Sequence, residues 1–342
     1  MKWRIILPAL FVIAAAIAIG KVHGASPEPY KAVAGPSAVA TLEEDWRDKD
    51  HESIVPVKLY YPKDLANQKA LPLIIFSHGL GGSRERYQLW AEHWASHGYI
   101  VLLPTHEGSD TAAVTEAAKT AEKNLGAAEG SVINLQTALR RVQDVTFVID
   151  QMERANAGTL ADPALAPFKG KIDVEHIGMA GHSFGAETTQ LVAGQSEKVL
   201  LKVRFAEPRI TAAIAMSPQP AVFLDQKTAF ASIKIPIFYM TGTADDAPLG
   251  LAGVKAADRR IPFDNSINAP AYFVNFTGAS HASFSGRATP TEWELGIQKL
   301  IKQSTTAFWD AQLKSDAHAK SWLEGDFSKA LGNVGKFEMK KH

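Results

Sequence analysis

The sequence predicts an α/β fold in which helices cover both faces of a mostly parallel central sheet. Two observations support this prediction. Apolar runs of about 4 to 8 residues without alternation recur along the chain, and such runs are typical of strands buried on both faces. Helical apolar stripes lie between them, at residues 84–98 and 133–152. Strands and helices therefore alternate over most of the chain.

The predicted strands are short and follow one another with few interruptions. They are residues 53–62, 71–77, 99–104, 176–181, 210–216, 235–240 and 271–277. Near the C-terminus, Thr289 and Glu292 form a predicted capping box with Pro290 at the first helical position, which starts a helix that runs through Phe308. The Ala-rich residues 111–131 have two interpretations, a lid over a site and a solvated surface helix, of which we favour the second.

The predicted elements are expected to form one domain. No repeat and no linker composition interrupts residues 46–325. Residues 25–45 are rich in Pro, Ala and Ser and are expected to be a leader into that domain. Residues 326–342 are expected to be a C-terminal tail.

Residues 1–24 have the pattern of an export signal. Two basic residues precede an uncharged stretch at residues 5–20, and Gly24 suits the last position before cleavage, which would give a mature start near Ala25. The alternative is an uncleaved N-terminal anchor. Both interpretations place the fold outside the cytoplasm, so we expect a secreted or periplasmic protein, with no stable membrane insertion after cleavage.

Composition excludes several classes of function. Lys and Arg together number 36, as do Asp and Glu, so no long-range field would attract nucleic acid or an anionic membrane. The chain has no cysteine, which excludes a thiolate nucleophile, a Cys-ligated zinc site and lipid attachment at an N-terminal Cys. Nothing in the sequence indicates the oligomeric state.

The stretch "GMAGHSFGAET", residues 178–188, places Ser183 between Gly181 and Gly185. An apolar strand precedes the serine and a helical pattern follows it. A strand, a sharp turn with a serine and a helix is the setting of a nucleophile elbow, in which the flanking glycines allow tight packing. A purely structural turn would require these features to coincide, so we interpret Ser183 as the nucleophile.

A serine nucleophile needs a base to take its proton. In this architecture the chain order is nucleophile, acid, base. Of the 11 histidines, only His281, His318 and His342 lie well beyond Ser183. His318 lies in a helical stretch and His342 ends the chain, whereas His281 directly follows the strand at 271–277. We therefore expect His281 to be the base.

Two adjacent aspartates, Asp245 and Asp246, follow the strand at 235–240 and its turn at Gly242. Adjacent side chains point in different directions, so only one of them can orient the base. The acid stands three residues after the glycine in many hydrolases of this type, which selects Asp245 and leaves Asp246 as the alternative. The loop after the preceding strand, "MSPQPAVF", contains no carboxylate.

The reaction also needs hydrogen-bond donors for the oxyanion. One is expected to be the backbone N–H of Phe184, which follows the nucleophile. The other is expected from the loop "HGLGGSRER" after the strand at 71–77, where Leu80 N–H is best placed. We expect His78 to hold this loop by hydrogen bonds.

The chain resembles the α/β-hydrolase superfamily and is most similar to the group called predicted dienelactone hydrolases, which adjoins the platelet-activating factor acetylhydrolases. The resemblance covers roughly residues 46–325 and rests on ordered segments. They are "FSHGLGGSRERY", "WASHGYIVLLPTHEGSD", "RVQDVTFVIDQM", "IDVEHIGMAGHSFGAET", "ITAAIAMSPQ", "MTGTADDAPLG", "SHASFSG" and "TTAFWDAQLKSDAHAKSWL".

The resemblance implies an α/β-hydrolase fold and a serine esterase with nucleophile Ser183, acid Asp245, base His281 and oxyanion donors at Leu80 and Phe184. This sequence departs from its neighbours in two ways. Dienelactone hydrolase uses a cysteine nucleophile, which this chain lacks. The acetylhydrolases place their acid after the strand that here ends in "MSPQ", so the resemblance transfers no substrate.

Two further residues, His106 and Asp110 in "THEGSD", match a segment near the site of such hydrolases. We expect them to shape a loop through hydrogen bonds rather than to take part in catalysis.

The sequence therefore predicts an exported serine carboxylic-ester hydrolase that acts on small or medium esters. A small-molecule ester is the expected partner, and the mechanism calls for no cofactor and no metal. The alternatives are a polyester-directed or phospholipid-directed hydrolase of the same fold and, from another class, a binding protein that has lost the chemistry.

Overall fold

The computed structural model describes residues 29–120, 132–196, 205–222, 224–247, 253–286 and 290–341. Over these residues the chain forms one nine-stranded sheet. Its strands are β1 (Val39–Asp48), β2 (Ser53–Pro62), β3 (Leu71–Ser77), β4 (Ile100–Pro104), β5 (Ile172–His182), β6 (Ile210–Met216), β7 (Ile237–Ala244), β8 (Ala271–Ser280) and β9 (Gly335–Lys340).

The strands lie in the order β1-β2-β4-β3-β5-β6-β7-β8-β9. The strands from β4 to β8 pair in parallel, whereas β1, β2 and β9 add antiparallel edges. This confirms the predicted α/β-hydrolase fold with its mostly parallel sheet. Because the carboxyl ends of parallel strands meet at one edge, the loops after β3, β5, β7 and β8 gather there.

Helices cover both faces of the sheet. They are α1 (Gln88–Ser96), α2 (Thr111–Thr120), α3 (Leu135–Ala157), α4 (Phe184–Val192), α5 (Gln226–Ala231), α6 (Ile261–Asn265), α7 (Glu292–Leu313), α8 (Ala317–Ser321) and α9 (Phe327–Leu331).

The side chains of β3 show why this strand is a continuous apolar run. Ile74 and Phe76 point into one core, which includes α1 and α7, and Leu73 and Ile75 point into a second core with α3. Side chains alternate between the two faces of a strand, so a strand covered on both sides needs an apolar residue at every position.

Two predicted helix starts differ from the structure. The helix predicted from residue 84 begins at Gln88, because Tyr87 adopts a left-handed conformation with φ of 64° and residues before it form a turn. The helix predicted from a capping box at 289–292 is capped by Thr291 instead. Its side chain accepts from the N–H of Glu294, whose carboxylate accepts in return from the N–H of Thr291. The same Thr-x-x-Glu pattern recurs there two residues later in the sequence.

The sheet extends past both ends of the range 46–325 in which the sequence predicts the domain. β1 begins at Val39, inside the predicted leader, and β9 lies inside the predicted tail, where it pairs with β8 from Gly335 opposite Phe276 to Lys340 opposite Ala271. Both are polar edge strands, and an edge strand lacks the long apolar run by which sequence reveals a central strand.

The N-terminal leader is tied to α7 through one buried carboxylate. Asp310 accepts hydrogen bonds from the hydroxyls of Tyr30 and Tyr99, both at 2.8 Å, and forms an ion pair with Lys31 at 2.5 Å. Because a buried carboxylate is stable only with such partners, these contacts fix residues 30 and 31 against the domain.

Among the helices that the structure describes, none is long and apolar enough to cross a membrane. The predicted export signal at residues 1–24 lies outside the described residues. Of the Ala-rich stretch at 111–131, the first part forms α2 and residues 121–131 are not described, so the choice between a lid and a surface helix stays a prediction.

Candidate active site

Ser183 lies in a strained turn between β5 and α4. Its φ of 57° and ψ of −118° lie where a residue with a side chain is rarely found. The N–H of Ser183 donates to the carbonyl oxygen of Met216 at 3.0 Å, which ties the turn to the end of β6. This is the local geometry that the G-x-S-x-G pattern predicts.

The two glycines of the pattern allow close packing on either side of Ser183. A Cβ at Gly181 would overlap the backbone of Gly185, and a Cβ at Gly185 would overlap the carbonyl oxygen of Ser77. The turn therefore brings the start of α4 against both β5 and the end of β3, which no larger residue would allow.

Asp245 and His281, which the sequence predicts as acid and base, lie within hydrogen-bond distance of each other. His281 Nδ1 lies 2.8 Å from Asp245 Oδ1, and the Thr241 hydroxyl donates to Asp245 Oδ2 at 2.9 Å. Asp245 is fully buried, whereas Asp246 is exposed and accepts from the N–H of Ala256. The geometry thus agrees with Asp245, and not Asp246, as the partner of the histidine.

We call Ser183, Asp245 and His281 the elbow triad. The structure brings His281 beside the residue that precedes the serine, because the His182 ring lies 4.6 Å from the His281 ring. His318, the alternative base, contacts the leader through Tyr30 at 5.9 Å between rings, and His342 lies outside the described residues.

A buried arginine that the sequence did not single out contacts Asp245. Arg259 Nε lies 3.0 Å from Asp245 Oδ1 and donates to the Asp245 carbonyl oxygen at 2.7 Å, while its Nη1 donates to the carbonyl oxygen of Ser217 at 2.9 Å. Burial lowers the pKa of Arg259, against the attraction of Asp245, which raises it. Its guanidinium contacts one carboxylate and the carbonyl oxygens of Asp245 and Ser217, and Nη2 lies 3.3 Å from His281 Nδ1. Its positive charge therefore compensates the buried carboxylate.

In the loop at residues 78–82, here called the oxyanion loop, two hydrogen bonds fix the peptide group between Gly79 and Leu80. The Gly79 carbonyl oxygen accepts from His78 Nδ1 at 2.7 Å and from the N–H of Gly82 at 3.0 Å. The C=O and N–H of a trans peptide point in opposite directions, so these bonds direct Leu80 N–H away from His78. Neither Leu80 N–H nor Phe184 N–H donates a hydrogen bond to another described residue.

A second group of Ser, His and Asp lies beneath the oxyanion loop, and we call Ser77, His106 and Asp144 the buried triad. Ser77 Oγ lies 2.9 Å from His106 Nε2, and His106 Nδ1 lies 2.8 Å from Asp144 Oδ2. Arg141 Nη1 donates to the His78 carbonyl oxygen at 2.6 Å. Burial raises the pKa of Asp144 to about 7 and lowers the pKa of Arg141 to about 9.

These contacts agree with the predicted structural parts of His78, His106 and Asp110. His78 Nε2 accepts from the N–H of His106 at 3.0 Å, which ties the oxyanion loop to the loop after β4. Asp110 Oδ1 accepts from the N–H of Ala113 at 2.9 Å and thereby caps α2. Burial lowers the pKa values of His78 and His106 well below their usual range, so both rings are neutral.

A cavity of about 350 Å³ opens beside Ser183. Ser183 and Phe184, the residue whose N–H is an expected oxyanion donor, both line it. The other described lining residues are mainly apolar: Ile133, Glu187, Gln219, Pro220, Ala221, Val222, Gly253, Val254 and Asp258. No group of three or more His, Cys, Asp or Glu side chains within the described residues is arranged to hold a metal ion.

Three residues at this site were missed or misread from the sequence. Arg259 has no motif around it, and only the fold brings it to Asp245, 14 positions earlier. Tyr87 had the spacing of a helical core residue, and His182 is the variable position of the G-x-S-x-G pattern. The signal for Tyr87 was a tyrosine among the apolar residues of a predicted helix, because a buried hydroxyl needs a hydrogen-bond partner.

Comparison with known proteins identifies the family of the chain. Residues 52–242, more than half of the chain, match the family described as platelet-activating factor acetylhydrolase, isoform II. The platelet-activating factor acetylhydrolase of Cavia porcellus is 27% identical over 297 residues, which cover 80% of this chain and 64% of the relative. The chain therefore spans less than two thirds of that relative's length. The chain belongs to the platelet-activating factor acetylhydrolase, isoform II, family.

Proposed function

We propose that the protein hydrolyses carboxylic esters through an acyl-enzyme intermediate on Ser183. The observation that carries this proposal is the 2.8 Å contact between His281 and Asp245 beside a serine held in the strained turn of a nucleophile elbow. An acid, a base and a nucleophile arranged in this order are the parts of acyl transfer to a serine.

Acylation follows from the hydrogen bonds of His281. Asp245 accepts from Nδ1–H, so Nε2 of the neutral ring has a lone pair with which to take the proton of Ser183 Oγ. Oγ forms a bond to the ester carbonyl carbon, and Leu80 N–H and Phe184 N–H donate to the resulting oxyanion. His281 then gives the proton to the departing alcohol as the C–O bond breaks.

Deacylation repeats the same steps with water. His281 takes a proton from a water molecule that attacks the acyl carbon, and Ser183 Oγ leaves with that proton as the acid product forms. Asp245 stabilises the imidazolium in both halves. Arg259 offsets the negative charge of the buried Asp245 while the ring is neutral.

The cavity supports small or medium substrates. A volume of about 350 Å³ is near the lower end of ordinary ligand pockets, and its apolar lining suits an acyl chain better than a charged group. The name of the relative states that it is an acetylhydrolase of platelet-activating factor, so we propose the acetyl ester of that lipid as a second candidate substrate.

We also propose that the protein is exported and acts in the periplasm or outside the cell, as the sequence of residues 1–24 indicates. The N-terminus of the mature protein tests this proposal. Mass spectrometry should give a start near Ala25, whereas a chain that begins at Met1 would indicate a retained anchor or no export.

The proposed activity is tested with p-nitrophenyl esters of increasing acyl length and with the acetyl ester of platelet-activating factor. We expect the purified wild-type protein to hydrolyse p-nitrophenyl acetate and the Ser183→Ala variant to lose this activity. Hydrolysis that persists in Ser183→Ala, with the variant shown to be free of wild-type enzyme, would contradict the mechanism.

A further inference from the structure

A chain of hydrogen bonds joins the oxyanion loop to the backbone of His281. Gly79 N–H donates to Tyr87 Oη at 3.0 Å. Tyr87 Oη lies 2.9 Å from His182 Nδ1, and His182 Nε2 lies 3.0 Å from the carbonyl oxygen of His281. These hydrogen bonds thus connect Gly79, which precedes Leu80, with the backbone of His281, the expected base.

The chemistry of its two ends fixes the direction of every bond. An amide N–H can only donate and a carbonyl oxygen can only accept, so Tyr87 accepts from Gly79 and His182 Nε2 carries a proton for His281. Burial and the neighbouring His281 and Arg259 hold the pKa of His182 well below its usual range. Its ring is therefore neutral, Nδ1 accepts, and the Tyr87 hydroxyl donates to it.

The side chains of Tyr87 and His182 are both buried and pack against aromatic neighbours. The Tyr87 ring lies 4.6 Å from the Phe76 ring, and the His182 ring lies 4.6 Å from His281 and 6.4 Å from Phe284. Side chains packed in this way have little rotamer freedom, so each hydrogen bond fixes the position of the groups it joins.

The backbone of Tyr87 is strained as well. Its φ of 64° is an outlier for a bulky residue, and such strain persists only where surrounding contacts enforce it. Here the hydroxyl reaches two partners on different elements, the oxyanion loop and β5. The strained turn before α1 is what places the ring between them.

We propose that Tyr87 and His182 are positioning residues that hold the oxyanion donors and the catalytic base in fixed relation to each other. The inference rests on the proposed function, since it assigns a part in the same reaction. Neither residue exchanges a proton with substrate. Their hydrogen bonds set the geometry in which Leu80 N–H and His281 act on one tetrahedral intermediate.

Such a part has a kinetic signature that packing alone lacks. The oxyanion exists only in the transition state and the intermediate. Donors that are misaligned with it therefore lower kcat and leave KM nearly unchanged. Tyr87→Phe removes the hydroxyl and keeps the ring, and we expect kcat to fall about 10-fold while KM changes less than about 2-fold. His182→Phe keeps the ring packing and should have the same effect.

The matched control is Tyr239→Phe. Tyr239 is also fully buried, and its hydroxyl lies 2.8 Å from the Ser266 hydroxyl, away from the oxyanion loop and His281. We expect this variant to keep the wild-type kcat and KM with p-nitrophenyl acetate, although it also loses a buried hydrogen bond. Thermal unfolding of all variants measures the structural cost separately.

The double variant tests whether Tyr87 and His182 act through one chain of bonds. If they do, removing the second residue adds little, and the double variant loses about 10-fold in kcat, as each single variant does. A loss near 100-fold, the product of independent effects, would overturn the proposal. A folded Tyr87→Phe variant with the wild-type kcat would also overturn the proposal. If His182→Phe does not fold, the kcat of Tyr87→Phe alone decides the test.

The same assays separate this inference from the function on which it rests. Ester hydrolysis by the wild type that disappears in Ser183→Ala upholds the proposed function whatever Tyr87→Phe does. A wild-type protein without ester hydrolysis would overturn both.

Discussion

The elbow triad and the buried triad contain the same three residue types, yet the serine of the first lines a cavity and the serine of the second is fully buried. In each, a carboxylate oxygen lies 2.8 Å from the Nδ1 of a histidine. Ser77 is fully buried at the end of β3, whereas Ser183 lines a cavity of about 350 Å³. The residue types alone therefore do not identify a catalytic site.

The two triads differ in the solvent exposure of the histidine and in the arginine that compensates the charge of the carboxylate. The side chain of His281 is 14% exposed and that of His106 is fully buried. The carboxylate of the elbow triad lies 3.0 Å from the buried Arg259, whereas Asp144 lies 3.6 Å from Arg140 and has a pKa raised to about 7 by burial. A partly exposed histidine beside a carboxylate that an arginine compensates favours catalysis, whereas a fully buried network favours a structural part.

The largest difference is expected when the two histidines are replaced in turn. His281→Asn removes the base, and we expect kcat/KM for p-nitrophenyl acetate to fall by on the order of 10⁴ or more. His106→Asn removes two buried hydrogen bonds, so we expect a lower Tm and a kcat/KM within about 10-fold of the wild type at a temperature where the variant is folded. Equal losses in the two variants would break the comparison.

A smaller effect separates the adjacent aspartates. Asp245→Asn should lower kcat by on the order of 10³, because the amide can no longer stabilise the imidazolium of His281. Asp246→Asn should change kcat less than about 2-fold, since that side chain is exposed and accepts from the N–H of Ala256 at 2.9 Å. Steady-state kinetics on both variants measure this, and a larger loss in Asp246→Asn would exchange the two assignments.

The smallest effect concerns the pH dependence of stability. The pKa of Asp144 is raised from 3.8 to about 7, so the folded state keeps its proton where the unfolded state has lost it. The free energy of unfolding therefore decreases as the pH rises from 4 to 7, by up to about 1.4 kcal/mol per pH unit from this group. Urea unfolding of Asp144→Asn should show a shallower decrease over this range, and an unchanged slope would contradict the raised pKa.

Much of the fold was visible in the sequence because central strands carry their own signal. β6 agrees with the predicted 210–216 residue for residue, since a strand buried on both faces is a short apolar run. β1 and β9 were not predicted as strands, because the residues of an edge strand face solvent and need no apolar pattern. The start of α1 was misplaced because the conformation of Tyr87 depends on tertiary contacts.

The candidate site divides in the same way. Ser183, Asp245 and His281 follow strand ends in a fixed chain order, so local patterns and topology identify them as candidates. Arg259 and the partnership of Tyr87 with His182 depend on contacts between segments far apart in the sequence. No spacing along the chain encodes those contacts, and only the folded coordinates reveal them.

Covalent labelling tests the distinction between the two serines most directly. A fluorophosphonate reacts with a serine that has an accessible base and an oxyanion site, so incubation with the wild-type protein followed by peptide mass spectrometry locates the activated hydroxyl. We expect one adduct, on the peptide that contains Ser183, and none after Ser183→Ala. An adduct on Ser77, or a wild-type protein that remains unlabelled, would contradict the assignment of the elbow triad as the catalytic site.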